Sequence, residues 1–306
     1  MADPYDTGEI DPDTIALVER LERELAAAPS VHTFPPAVLR DAREAGLGIW
    51  GPVVRSTMAV DRELDGVPVR WFRPPVVNGV YLHLHGGGWV LGRAHHQDVR
   101  NEQIARSCGL AVVSVDYRLA PEHPYPAGPD DCEKVARWLV EHAARELGTD
   151  RIVIGGESAG AHLSVTTMLR MRDRHGYRGF AGANLLFGAF DLAMTPSQRR
   201  WGDRNLVLSR PILEWFYDCF VPEPRRREPD VSPMYADLSG LPPALFTVGT
   251  ADPLLDDTLF LHARWRAAGN AADLAIAPGA PHGFTAFTMP AATLANTRID
   301  AFLRGV

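Results

Sequence analysis

Cysteine is scarce: Cys108, Cys132 and Cys219 are the only three in 306 residues, odd in number and widely spaced. That pattern fits neither a disulfide framework nor a zinc site, and a reducing cytoplasm is the simplest home for it. Long hydrophobic runs are missing too. No uninterrupted apolar stretch approaches the roughly 18 to 20 residues of a membrane-spanning helix. The start, Met1-Ala2-Asp3-Pro4 with Asp6, Glu9, Asp11 and Asp13 following, is acidic where a secretion signal is basic and then apolar. Positive charge is also in short supply. With 31 Lys plus Arg against 38 Asp plus Glu, a net charge of -7, the chain lacks the concentrated basic face that nucleic-acid phosphates demand. Its one basic run, Arg225 to Arg227, sits between Pro224 and Pro229 and reads as a solvated loop.

What is present is enough for a large core, since 46% of the residues are hydrophobic and 23% charged. Residues Asp13 to Gly48 read as two helices separated by Pro35 and Pro36. Val53 to Val60 and Val67 to Phe72 read as strands, the second entered through the turn-forming pair Asp65-Gly66, which implies an antiparallel start to a sheet. Beyond them, strand-length runs (Val80 to Leu84, Leu110 to Val115, Arg151 to Ile154, Ala183 to Phe187, Ala244 to Val248, Leu274 to Ala277) alternate with helix-length ones (Val99 to Cys108, Asp130 to Leu147, Ala159 to Arg172, Asp256 to Ala268, Pro290 to Leu303). Such alternation predicts an α/β fold with a mostly parallel central sheet flanked by helices. The stretch from Gly188 to Leu241 is far too long for a loop. Its apolar and aromatic residues, among them Trp201, Leu206, Leu208, Trp215, Phe216, Tyr217 and Phe220, suggest a helical lid over the carboxyl edge of the sheet, where ligands bind in such folds. The expected division is cap helices in 1–50, a catalytic core in 51–190 and 242–306, and a cap insertion in 191–241.

Gly156-Glu157-Ser158-Ala159-Gly160 follows one predicted strand and opens a helix, the setting a nucleophile elbow requires. The sharp turn lifts the Ser158 hydroxyl to a helix N-terminus, where the dipole favours developing negative charge. His85-Gly86-Gly87-Gly88-Trp89 follows another strand, and its glycines let backbone N–H groups approach a substrate oxygen without a Cβ in the way. The amides of Gly87, Gly88 and Ala159 are therefore the candidate oxyanion hole, with one such donor commonly worth about 3 to 4 kcal/mol of transition-state stabilisation.

A serine hydroxyl needs a base, and in this fold class the partners follow in the order serine, acid, histidine. Of His175, His262 and His282, only His282, in Pro281-His282-Gly283-Phe284 after the last strand, is free in a loop behind every acid candidate. Asp252, after the strand Ala244 to Val248, is the favoured acid. Asp191 also follows a strand and is its rival, whereas Asp256 and Asp257 read as helix-starting carboxylates. Trp89, Leu206 and Phe216 are the candidate substrate-pocket residues, implying a compact apolar acyl site. His95-His96 lacks an evident set of further ligands and reads as exposed loop; no metal and no organic cofactor is expected.

Together these motifs resemble the hormone-sensitive lipase family, in particular its bacterial carboxylesterases of the α/β-hydrolase fold. Asp116-Tyr117-Arg118-Leu119-Ala120-Pro121-Glu122-His123-Pro124-Tyr125-Pro126-Ala127 looks like a further family hallmark, and the resemblance spans about Val80 to Phe284. It implies a serine esterase acting through an acyl-enzyme, with Asp116, Arg118 and Glu122 holding the loop framework by ion pairs, while the compact apolar pocket suggests short- to medium-chain esters. The chain departs from the family where aspartate often stands at Glu157 and glycine at Ala161. A serine amidase or peptidase on the same triad, and a small-molecule receptor using the hydrolase pocket, are the alternative readings; the intact triad speaks against the receptor. A small-molecule ester is the expected partner. A homodimer is compatible with the sequence, although nothing marks an interface.

Overall fold

The computed structural model describes residues 9–306, so the acidic start at Asp3 and Asp6 lies outside the described residues. Helix α1 (Pro12–Ala26) is capped by the Asp11 carboxylate and sends Leu17 and Leu21 into the core; α2 (Pro36–Glu44) starts on a proline, as first turns tolerate. The sheet begins with the hairpin β1 (Ala59–Leu64) and β2 (Val67–Phe72) around Asp65-Gly66. Strand β1 starts six residues later than the apolar run from Val53 suggests. It is an edge strand, and its exposed face carries Asp61 and Glu63, which interrupt any apolar signal.

The remaining elements are β3 (Gly79–Leu84), α3 (Asp98–Cys108), β4 (Leu110–Val115), α4 (Ala127–Leu147), β5 (Ile152–Glu157), α5 (Ala159–His175), β6 (Phe180–Leu186), α6 (Pro196–Trp201), α7 (Arg210–Phe220), β7 (Ala244–Ala251), α8 (Leu255–Ala267), β8 (Ala272–Pro281) and α9 (Pro290–Gly305). They form an eight-stranded sheet in the order β1-β2-β4-β3-β5-β6-β7-β8. Only the β1–β2 and β2–β4 pairs are antiparallel.

Helices cover both faces, so the central strands are buried on both and read as continuous apolar runs. Alternate residues nonetheless serve two separate cores. Val80, Leu82, Leu84, Ala111, Val113 and Val115 face the layer containing α4, α5, α7 and α8. Tyr81, Leu110 and Val112 face that of α1, α3 and α9. Helix α5 is buried from Ala159 to Arg172 and runs down the middle of the first core. That placement fixes its N-terminus against the carboxyl ends of β3 and β5.

Candidate active site

Three of the candidate residues are each the first beyond a strand: Ser158 after β5, Asp252 after β7 and His282 after β8. Parallel pairing of β5, β6, β7 and β8 delivers all three to one edge of the sheet. Ser158 has φ 56° and ψ -119°, a strained conformation for a residue with a Cβ, and its N–H donates to the Leu186 carbonyl at 2.9 Å. The glycines on either side are there for a close approach, because a methyl on Gly156 or Gly160 would run into the Leu84 carbonyl. The elbow is thus pressed onto the end of β3, the strand that leads into the glycine loop.

His282 Nδ1 lies 2.8 Å from Asp252 Oδ2, and His282 Nε2 lies 3.0 Å from Ser158 Oγ. A carboxylate can only accept, so Nδ1 carries the imidazole proton and leaves Nε2 to accept from the serine hydroxyl. Asp252 is 1% exposed, and its other oxygen accepts the Leu254 N–H at 2.8 Å. The Phe187 ring meets the imidazole edge-on at 4.9 Å between centroids.

The glycine loop is turned by its own backbone, with the Gly87 carbonyl accepting from Val90 at 3.1 Å and Leu91 at 2.8 Å. Among the described residues, the amides of Gly87 and Gly88 find no backbone partner. Gly87 has φ 114°, and Gly88, at φ 59°, lies so close under the Phe216 ring that a methyl there would collide with it.

With this arrangement in view, comparison with known proteins decides the family. Residues 81–286 match the α/β-hydrolase fold model. The chain is 35% identical to a carboxylesterase of Mycobacterium tuberculosis, over 97% of this chain and 96% of that one. It is 33% identical to an ethyl acetate hydrolase of Pseudomonas putida, over 73% of each. An esterase of the bacterial hormone-sensitive lipase family superposes with a TM-score of 0.84 at 32% identity, covering 97% of this chain and 99% of that one. A hormone-sensitive lipase from a metagenome library gives 0.86 at 30% identity, with 97% and 99% covered.

This chain belongs to the bacterial hormone-sensitive lipase family of α/β-hydrolase esterases. By class it is a carboxylic ester hydrolase. The hydrolase carries α6, α7 and largely irregular chain between β6 and β7, and α7 lies over Ser158. Between them is a cavity of about 10 Å³ lined by Gly88, Trp89, Ser158, Ala159, Ala189, Leu208, Leu213, Phe216, Tyr217 and Leu254. That is room for about one water molecule. Of the expected pocket residues, Trp89 and Phe216 reach this cavity, whereas the structure places Leu206 in the core, bridged to Leu208, which does line it. Trp89 is otherwise an anchor: it stacks on Phe220 at 4.6 Å, and its indole N–H donates to His162 Nδ1 at 3.1 Å. Burial pushes His162 down to about 4, so the ring is neutral and its Nε2–H donates to the Val231 carbonyl at 2.7 Å.

The rival histidines and acids are engaged elsewhere. His175 Nε2 pairs with Glu133 at 2.8 Å, and His262 lies within α8. Asp191 accepts from the Ala193 N–H at 2.8 Å and from the Tyr235 hydroxyl at 3.1 Å. Asp257 differs from its expectation as a helix-starting carboxylate. It sits in the first turn of α8, but it is fully buried and accepts from Phe190 N and Asp191 N at 2.8 Å and from Thr195 Oγ1 and Gln198 Nε2 at 2.7 Å. It thereby ties the start of the insertion to the core. Nor are His95 and His96 simply exposed loop: they form a short 3-10 turn, only partly accessible, against Glu44 of α2.

Sequence reasoning passed over two supporting residues. Glu157 accepts the Gly86 N–H at 2.7 Å and bonds to His83 Nε2 at 3.0 Å. The available signal was a carboxylate ending an apolar strand. Arg40 donates to the carbonyls of Val90 at 2.8 Å and Ala120 at 2.7 Å, and to both oxygens of Glu122 at 2.9 Å. No local pattern marks it, because its partners lie at least 50 residues away. The other hallmark charges are also paired, Asp116 with Arg93 at 3.2 Å and Arg118 with Asp131 at 2.8 Å.

Proposed function

We propose that the chain is a serine carboxylesterase that hydrolyses short- to medium-chain esters through an acyl-enzyme, with Ser158 as nucleophile, His282 as general base and acid, and Asp252 as its orienting carboxylate. The observation that carries this reading is the continuous hydrogen-bonded line from Asp252 to His282 to Ser158 at 2.8 and 3.0 Å. His282 takes the hydroxyl proton as Ser158 Oγ bonds to the ester carbonyl carbon. The carbonyl oxygen becomes an oxyanion held by the amides of Gly87, Gly88 and Ala159, aided by the α5 dipole. His282 then protonates the leaving alkoxide. Water, deprotonated by the same imidazole, releases the acid and restores the serine, so the cycle requires no redox change.

The cap comprises residues 1–50 and 191–241 over a core of 51–190 and 242–306, and the apolar lining of Leu208, Leu213 and Phe216 beside Ser158 suits an acyl chain. Among the described residues no helix is long and apolar enough to cross a membrane. All three thiols are free, which supports the reducing cytoplasm as the compartment.

Hydrolysis of p-nitrophenyl acetate, butyrate, octanoate and palmitate by the wild type, Ser158→Ala and His282→Ala tests the reading. Activity should favour the shorter esters and fall by about 10⁴- to 10⁶-fold in both variants. An inactive wild type, or an active Ser158→Ala, overturns it. A matched amide cleaved faster than its ester would move the leaving group from alcohol to amine.

A further inference from the structure

We propose that Glu44, His95 and His96 form a binding site for a divalent transition metal, Zn²⁺ in particular, which ties the N-terminal helix α2 to the chain emerging from the glycine loop. The three residues come from two elements distant in sequence: Glu44 is the last residue of α2, and the histidines stand in the 3-10 turn Ala94–Gln97. His95 Nε2 lies 2.9 and 3.1 Å from the two Glu44 oxygens, and His96 Nε2 lies 2.8 Å from Glu44 Oε1. The rings stand nearly perpendicular, at 78° with centroids 4.6 Å apart, so both nitrogens converge on one carboxylate. One ligand atom from each residue lies within 4.8 Å of the others.

Two imidazoles and a carboxylate are a ligand set that suits zinc. Bonds of about 2.0 to 2.1 Å place tetrahedral ligands about 3.3 Å apart, so the two Glu44–histidine spacings need open by only a few tenths of an ångström. The Glu44 side chain is 41% exposed, against 13% for His95 and 8% for His96, which leaves the Glu44 side open for water as the fourth ligand.

The charges around the site bear on affinity. Arg43 is engaged with the Gly51 carbonyl at 2.8 Å. Arg55 Nη2, 3.2 Å from His95 Nε2 and 3.9 Å from Glu44, opposes a cation, but its side chain is 56% exposed and can withdraw into solvent. Sequence alone hid the third ligand because Glu44 lies 51 residues before His95. The site shares no residue with the triad, and its occupant would act on cap attachment and stability rather than on bond cleavage.

The test is calorimetric titration of the metal-stripped full chain with Zn²⁺, with bound metal counted after dialysis and thermal unfolding followed with and without the ion. One ion per chain and a higher unfolding temperature are expected for the wild type and for Ser158→Ala. Affinity should drop by more than about 100-fold in His96→Ala and Glu44→Gln, exceeding the loss from an outer-shell partner, and should tighten in Arg55→Gln. Circular dichroism of the metal-free variants checks that they are folded, with His95→Gln as a milder substitution at the same site. Absence of binding to the wild type, or binding undiminished in folded His96→Ala and His95→Gln, overturns the proposal. Esterase activity enters none of these readouts.

Discussion

Glu157 accepts the N–H of Gly86 at 2.7 Å, so the residue just before Ser158, the proposed nucleophile, holds the first glycine of the loop that follows β3. Its second oxygen faces His83 Nε2 at 3.0 Å, and His83 Nδ1 meets Ser114 Oγ at 2.8 Å, which extends the connection into the sheet. One side chain therefore ties the residue before Ser158 to the glycine loop whose Gly87 and Gly88 amides are the proposed oxyanion donors.

Replacing Glu157 by alanine leaves the buried His83 Nε2 and the half-buried Gly86 N–H without their partner and should cost about 1 to 3 kcal/mol of stability. Loss of loop position should lower kcat by about 10- to 100-fold with a smaller change in KM. Glu157→Gln retains an acceptor for Gly86 and should recover most of kcat. Denaturant unfolding and steady-state kinetics on p-nitrophenyl butyrate check both effects; equal losses in the two variants would sink the positioning role.

Arg40 joins α2 to the end of the glycine loop through the Val90 carbonyl and to the segment after β4 through Ala120 and Glu122. Arg40→Ala should reduce kcat and speed proteolysis of the N-terminal helices. Arg40→Lys should restore little of either, since an ammonium cannot match a forked carboxylate and two carbonyls at once. Limited proteolysis read beside kcat decides it, and full rescue by lysine would contradict the account.

Phe216 lies against Gly88 and narrows the cavity above Ser158. Phe216→Leu and Phe216→Ala should raise the octanoate-to-butyrate ratio of kcat/KM progressively, reaching about tenfold or more in the alanine variant, the scale of one or two methylenes in an apolar pocket. A ratio that stays constant across the three proteins would place the chain-length limit elsewhere.

Burial raises the Asp257 carboxyl to about 7 despite its hydrogen bonds. A carboxyl whose folded pKa is above its unfolded one binds its proton more tightly when folded, so its contribution to stability declines as pH rises from about 4 to about 7. The slope is at most about 1.4 kcal/mol per pH unit for one proton. Asp257→Asn removes that titration, and the stability of the wild type relative to the variant should therefore shrink between pH 5 and 7. Unfolding midpoints at pH 5, 6, 7 and 8 give the comparison; a difference independent of pH would refute the assignment.

Much of the site was readable because its chemistry is local. Ser158 sits inside a five-residue turn whose glycines answer to steric contacts with one carbonyl of the neighbouring strand. The glycine loop and His282 likewise follow strands whose apolar runs stand out. Strand β1 was misplaced for the complementary reason: an edge strand has one solvated face, and its polar residues mask it. The pocket was legible only as a composition. Leu206 and Leu208 are equally apolar and two residues apart, and the path of the irregular chain before α7 decides that Leu208 reaches the cavity.

The amino-acid sequence by itself determined the alternation of strands and helices, the strand-turn-helix setting of Ser158 and the motifs that carry the family likeness. Those features follow from periodicity, turn sterics and the chemical needs of one hydroxyl, all of which act over a few residues. Tertiary structure alone decided that Asp252 rather than Asp191 faces His282, that Asp257 is buried against the chain leaving β6, that Arg40 grips the Val90 carbonyl beside the glycine loop and that Glu44 completes a cluster with His95 and His96. A carboxylate or guanidinium finds its partner through the packing of entire elements, and no local pattern in the chain encodes which distant element will lie against it.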